Sequence, residues 1–269
     1  MAAPLPLAAL LPLVTLLGLA VGSFLNVVVY RVPRGGSLVR PASRCPSCGR
    51  PIRNRHNVPV LGWLLLRGRC ADCDAPISLR YPLVELATAV VFAALAVRLE
   101  RLHLLSALPA YLYFAAVGIA LSLIDLDCRR LPKSIVLPSY PVLAALLAAS
   151  AGWQHDWWAL ARAAIGGAAL FAFYYAVALA YPAGMGFGDV RLAGILGAVL
   201  GYLSWSTLVA GAFGGFLLGA VVGVAVLAAG RGGRKTALPF GPFMIAGALL
   251  AVFVGPPAAH LYTRLLTRS

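Results

Sequence analysis

Leu104-Leu-Ser-Ala-Leu-Pro-Ala-Tyr-Leu-Tyr-Phe-Ala-Ala-Val-Gly-Ile-Ala-Leu-Ser-Leu-Ile124 runs without a charge straight into Asp125-Leu-Asp127. A helix needs roughly 20 apolar residues to cross the hydrocarbon core of a bilayer, and this run supplies them. An ionisable group at the end of such a run is expensive, and it faces a bundle interior or a water-filled cavity. Two questions follow from this one stretch: how many such runs the chain holds, and what its acids do.

Seven further apolar runs are bounded by charge, proline and glycine, at approximately 5–30, 82–99, 135–151, 158–181, 190–203, 207–229 and 238–262. The predicted fold class is an all-α polytopic membrane protein of about eight transmembrane helices. Hydrophobic residues make up 61%, charged residues only 11%, and mean hydropathy is +0.89. A soluble domain carries roughly a quarter charged residues, so that class is excluded. Met1–Leu19 lacks a basic leader region and a small-residue cleavage site, and it reads as part of a retained span. The predicted organisation is a first span over 1–30, a polar insert over 31–81 and a membrane core over 82–269.

The formal net charge of +14 is placed for a membrane rather than for nucleic acid. The segment Arg31–Arg80 carries ten Lys/Arg against two acids, Asp72 and Asp74. Basic residues beside spans mark the cytoplasmic side. With the N-terminus outside, seventeen Lys/Arg fall inside and five outside; the opposite topology inverts the bias. The sequence thus predicts a cytoplasmic insert facing the anionic inner leaflet, with Trp153, Trp157 and Trp158 at the outer interface.

Four of the five cysteines form Cys45-x-x-Cys48 and Cys70-x-x-Cys73 inside that insert. In a reducing compartment, two such knuckles favour a closed, four-thiolate structural Zn²⁺ site over disulfides. Four protein ligands leave no open position, so the metal is not expected to be catalytic. Cys128 stands apart.

Of eight acids, Glu85, Asp125, Asp127 and Asp189 lie at the cytoplasmic ends of predicted spans. Asp189 closes Gly184-Met-Gly186-Phe-Gly188 and opens another span. Two carboxylates brought together in a half-buried site share a proton. The ionised one activates water while the protonated one polarises a carbonyl, which is general acid–base hydrolysis without a metal. The spacing of Asp125 and Asp189 does not by itself bring them together. The alternative is pairing of Asp125 and Asp127 with Arg129 or Arg130, with Asp189 merely capping its helix. At the level of the whole chain, the alternatives are an ion-coupled transporter and a non-catalytic zinc-loop scaffold.

Asp125 followed by Leu131-Pro132, together with Gly186-Phe-Gly188-Asp189, resembles the paired signature of the prepilin peptidases, the bacterial members of the GxGD class of membrane aspartyl proteases. Gly22-Ser-Phe-Leu-Asn26-Val-Val-Val-Tyr30-Arg31, the twin Cys-x-x-Cys insert and Arg80-Tyr-Pro82-Leu-Val-Glu85 extend the resemblance over nearly the whole chain in consistent order. The resemblance implies Asp125 and Asp189 as the catalytic dyad, and leader cleavage of type IV prepilins or pseudopilins at the cytoplasmic face of the inner membrane. It also implies N-methylation of the new N-terminus with S-adenosylmethionine, for which the chain shows no dinucleotide-type glycine fingerprint. Lys133 and Arg191 depart from the family pattern, standing where relatives commonly carry Asp and Lys. On the dyad reading, the segment 184–188 is expected to be non-helical beside a cavity, with the third and sixth spans as neighbours.

Overall fold

The computed structural model describes residues 6–182, 185–229 and 239–266. Nine α-helices are present among them: α1 Leu7–Arg31, α2 Leu61–Leu65, α3 Arg80–Arg101, α4 Leu108–Cys128, α5 Lys133–Gln154, α6 Trp157–Ala180, α7 Phe187–Leu203, α8 Trp205–Ala228 and α9 Gly241–Leu266. No strand forms among the described residues, only two isolated antiparallel bridges in the insert. The eight expected spans correspond to α1 and α3 to α9. Six helices are long and apolar enough to cross a membrane. The remaining two are α7, of 17 residues, and α9, whose described apolar part is Gly241–Val254.

These helices are apolar on every side, and Leu13, Leu16, Phe173, Phe213, Val221 and Val224 are exposed on them. In water such surface would aggregate; in lipid it needs no cover. The few polar groups are satisfied locally. Asp156 accepts the Ala159 N–H at 3.0 Å at the start of α6, and Ser204 does the same for Thr207 at the start of α8. Arg162 donates to the carbonyls of Gly201, Tyr202 and Leu203, so a cation caps the C-terminal end of α7.

The chain divides into two compact units, Met1–Leu108 and Pro109–Ser269. In the first, α1 and α3 pack closely because Gly18 and Gly22 present bare backbone. A Cβ added to Gly22 would stand 2.7 Å from the Glu85 Cα. Lipid gives apolar side chains no reason to pair, so close backbone approach is what holds membrane helices together. In the second unit, α6 and α7 use the same device. A Cβ at Gly197 would run into the Gly166 carbonyl, and one at Gly167 would lie 3.0 Å from the Gly194 carbonyl.

Candidate active site and metal centre

The position of Asp125 follows from how α4 meets α7. Tyr111, fully buried near the start of α4, donates its hydroxyl to the Val199 carbonyl near the end of α7, at 2.7 Å. The bond joins the start of α4 to the end of α7, and the Asp125 charge acts on Asp189 at their other ends, so the two helices run antiparallel. At 1.5 Å per residue, Asp125 lies about 21 Å along α4 and Asp189 about 15 Å back along α7. Both acids therefore reach the same end of the unit, although α5 and α6 intervene in sequence. The Asp125 carboxylate lies near enough for its charge to act on Asp189.

Each carboxylate sits at a helix N-terminus, where unsatisfied N–H groups and the helix dipole favour an anion. Asp125 is only 6% exposed, and its Oδ2 accepts the Gly241 N–H from the first turn of α9 at 3.1 Å. Asp189 is half-buried in the first turn of α7 and reaches back to the Gly186 N–H at the N-cap, as the third helical residue of a capping box does. Leu131 stands between them: its side chain lies against the positions of both Gly188 and Gly241. Asp127 is exposed.

The expected non-helical 184–188 segment is found only in part. Gly186 is extended (φ −74°, ψ 143°), but Phe187 and Gly188 already belong to α7, and Gly184 falls outside the described residues. The reason is local: the reach of Asp189 back to Gly186 starts the helix two residues before the acid. Arg191, one turn on, lays its guanidinium over the Phe187 ring at 4.8 Å. Lys133 opens α5 directly after Pro132. Gly241 was missed in the sequence, where Pro239-Phe-Gly-Pro242 read only as the edge of the last span. Proline on both sides of a glycine was the available signal of a helix start with a bare N–H.

The insert places the four predicted metal residues together. Cys45 and Cys70 each open a tight turn of the same conformation. Cys45 N–H donates to the Arg50 carbonyl and Cys70 N–H to the Ala75 carbonyl, while Gly49 and Asp74, both at positive φ, bond back to the cysteine carbonyls. Bridges Arg44–Pro51 and Arg69–Pro76 close the two knuckles. The Sγ atoms of Cys45, Cys48, Cys70 and Cys73 all lie within 4.8 Å of one another, with Cys45 and Cys73 at 3.8 Å. Tetrahedral Zn–S bonds of about 2.3 Å place sulfurs roughly 3.8 Å apart, so the cluster fits a structural zinc ion. The Cys48 and Ser47 N–H groups hold the Cys45 thiol down at about 6. At Cys73 the Ala75 N–H also lowers the value, but partial desolvation and the neighbouring thiols outweigh it and push it up to about 12. Four thiolates cannot coexist here without a cation between them.

A cavity of about 380 Å³ is lined by residues of α5, α6 and α7, with Tyr140 and Arg191 as its polar groups. It offers no carboxylate for the ribose or the cationic centre of S-adenosylmethionine, and it does not fit that cofactor.

A helical membrane protein with two part-buried acids at one end of a helical unit and a four-cysteine insert is the class these observations define. The model of the bacterial peptidase A24 N-terminal domain matches residues 16–99, and that of the type IV leader peptidase family matches residues 112–224. A Myxococcus xanthus protein is 41% identical over 223 residues, covering 82% of this chain and 64% of that protein. A Pseudomonas putida protein is 38% identical over 270 residues, or 90% of each chain, and a Bacillus subtilis protein is 32% identical over 256 residues, 95% of this chain and 99% of that one. All three carry the name prepilin leader peptidase/N-methyltransferase. No solved structure matches. The chain belongs to the type IV leader peptidase family, and its apolar helices and bacterial relatives make it an inner-membrane protein.

Proposed function

We propose that the chain is a membrane aspartyl endopeptidase that removes the short basic leader of type IV prepilins or pseudopilins at the cytoplasmic face, with Asp125 and Asp189 as its catalytic pair. The observation that supports this reading is that two acids lie toward the same end of their unit, each accepting a helix N-terminal N–H, with the Asp125 charge acting on Asp189. In the proposed cycle one carboxylate takes a proton from water while the other donates a hydrogen bond to the scissile carbonyl. The roles then reverse as the amine leaves. The helix N-termini fix both oxygens before substrate arrives, so little reorganisation accompanies the reaction.

The orientation in this reading has the N-terminus outside and the insert in the cytoplasm, supported by the distribution of Lys and Arg. Cys45, Cys48, Cys70 and Cys73 would hold one Zn²⁺, which supplies folding energy to the insert and takes no part in hydrolysis. N-methylation comes to this chain through the name of its relatives, and S-adenosylmethionine as the methyl donor through the family resemblance alone; no residue here is given a part in it.

The test is cleavage of a prepilin by Asp125→Asn and Asp189→Asn in membranes. Asparagine keeps the shape and cannot act as a base, so each variant is expected to lose processing while still inserting. Near-normal cleavage by either removes the dyad. A transporter or scaffold role predicts no cleavage by the unmodified chain.

A further inference from the structure

The proposed chemistry leaves Glu85 and the segment between the two knuckles unused. Glu85 is 7% exposed in the second turn of α3, and its Oε2 accepts the Val60 N–H at 2.7 Å. Val60 has φ 61° and ψ −52°, and the Leu61 N–H closes onto the Pro59 carbonyl at 2.6 Å. That is a γ-turn with a left-handed centre, rare in any chain and strained for a β-branched residue. Such a conformation persists only where its surroundings hold it, and here a buried carboxylate does so.

The turn opens α2, so Glu85 fixes where α2 begins. Glu85 lies about 7.5 Å along α3 from Arg80, inside the first turns of a membrane-crossing helix. The start of α2 is thereby pinned at the depth where α3 enters the bilayer, not out in the cytoplasm. One face of α2 is used within the insert: Gly62 packs on the His56 carbonyl, and Trp63 donates Nε1–H to the Ile77 carbonyl at 3.0 Å. The other face presents Leu61, Leu64 and Leu65 at 57, 56 and 74% exposure. Arg55, Arg67 and Arg69 flank it and are exposed, while Asp72 of the insert is engaged by Arg50 and Arg53.

We propose that α2 is an interfacial anchor that lies in the headgroup layer, with Leu61, Leu64 and Leu65 at the acyl boundary and Arg55, Arg67 and Arg69 among anionic lipid headgroups. Three adjacent leucines with an arginine fringe match a lipid surface in both chemistry and charge, and the Glu85 latch sets the depth. The anchor holds the cysteine knuckles flat against the bilayer. That the lipid is the anionic inner leaflet rests on the orientation proposed above.

The test uses the full-length, zinc-loaded Cys128→Ser protein in phosphatidylglycerol/phosphatidylcholine nanodiscs. Single spin labels are placed at Leu65→Cys and, as the reference at the exposed C-terminal end of α5, at Gln154→Cys. The label at 65 is expected to collide severalfold more with oxygen than with a nickel chelate, and the label at 154 the reverse. Equal nickel access at both positions would overturn the anchor. Shielding at 65 that appears only when prepilin is added would overturn it too, in favour of a substrate groove. Labelling of Arg55→Cys by an impermeant maleimide from outside spheroplasts tests the orientation alone, so the two readings fail separately.

Discussion

Replacing Gly241 with alanine adds one methyl group at the point where α9 meets Asp125. That Cβ would stand 2.8 Å from Asp125 Oδ2 and 3.3 Å from Leu131 Cδ2. Carbon and carboxylate oxygen settle at about 3.3–3.6 Å, so the carboxylate must turn away or the first turn of α9 must retreat. Either movement lengthens the 3.1 Å bond from the Gly241 N–H past its useful range. A hydrogen bond to a charged group is worth about 1.5–3 kcal/mol. If that stabilisation is lost in the transition state, cleavage slows about 10- to 150-fold, at 1.36 kcal/mol per factor of ten. The helical backbone at 241 accepts alanine without strain, so the thermal midpoint in detergent should hardly change. Gly247→Ala is the control: its Cβ would run into the backbone of Gly215 on α8, so it should lower stability instead of attacking the site directly. The assay is initial-rate cleavage of a prepilin in nanodiscs, with thermal unfolding measured on the same preparations. Wild-type cleavage by Gly241→Ala would refute the account of how Asp125 is held. A parallel fall in rate and thermal midpoint would reduce Gly241 to a packing residue.

Purified protein is expected to carry about one Zn²⁺ per chain by elemental analysis, and the Cys45→Ser/Cys48→Ser double variant to carry none. Metal loss should weaken resistance of the insert to proteolysis more than it slows cleavage. Gly197→Val forces a branched side chain against the Gly166 carbonyl and should destabilise the α6–α7 pair by about 1–3 kcal/mol, read as a lower unfolding midpoint. Asp74→Gly places the residue that best tolerates positive φ at the position Gly49 occupies in the first knuckle, and should leave zinc content unchanged while raising the stability of the insert.

The sequence by itself determined what depends on short range and on solvent. Uncharged runs such as 104–124 must be helices in lipid, because no other unclosed structure satisfies its own backbone there. Each Cys-x-x-Cys turn closes within about seven residues, so its conformation was legible from spacing and turn chemistry. The candidate acids were legible because a carboxylate at the end of an apolar run has few reasons to be there. Tertiary structure alone decided what those residues meet. Asp125 and Asp189 reach one end of their unit only through the packing of the helices, in which Tyr111 near the start of α4 bonds the Val199 carbonyl near the end of α7. Gly241 lies 116 residues from the carboxylate it holds, a pairing no local pattern encodes. The depth of α2 depends in the same way on Glu85, 25 residues after Val60 in sequence. Periodicity and spacing report which side of a helix is apolar and which turn closes. A hydrogen bond between distant helix ends depends on how the helices pack, and packing is a property of the whole bundle.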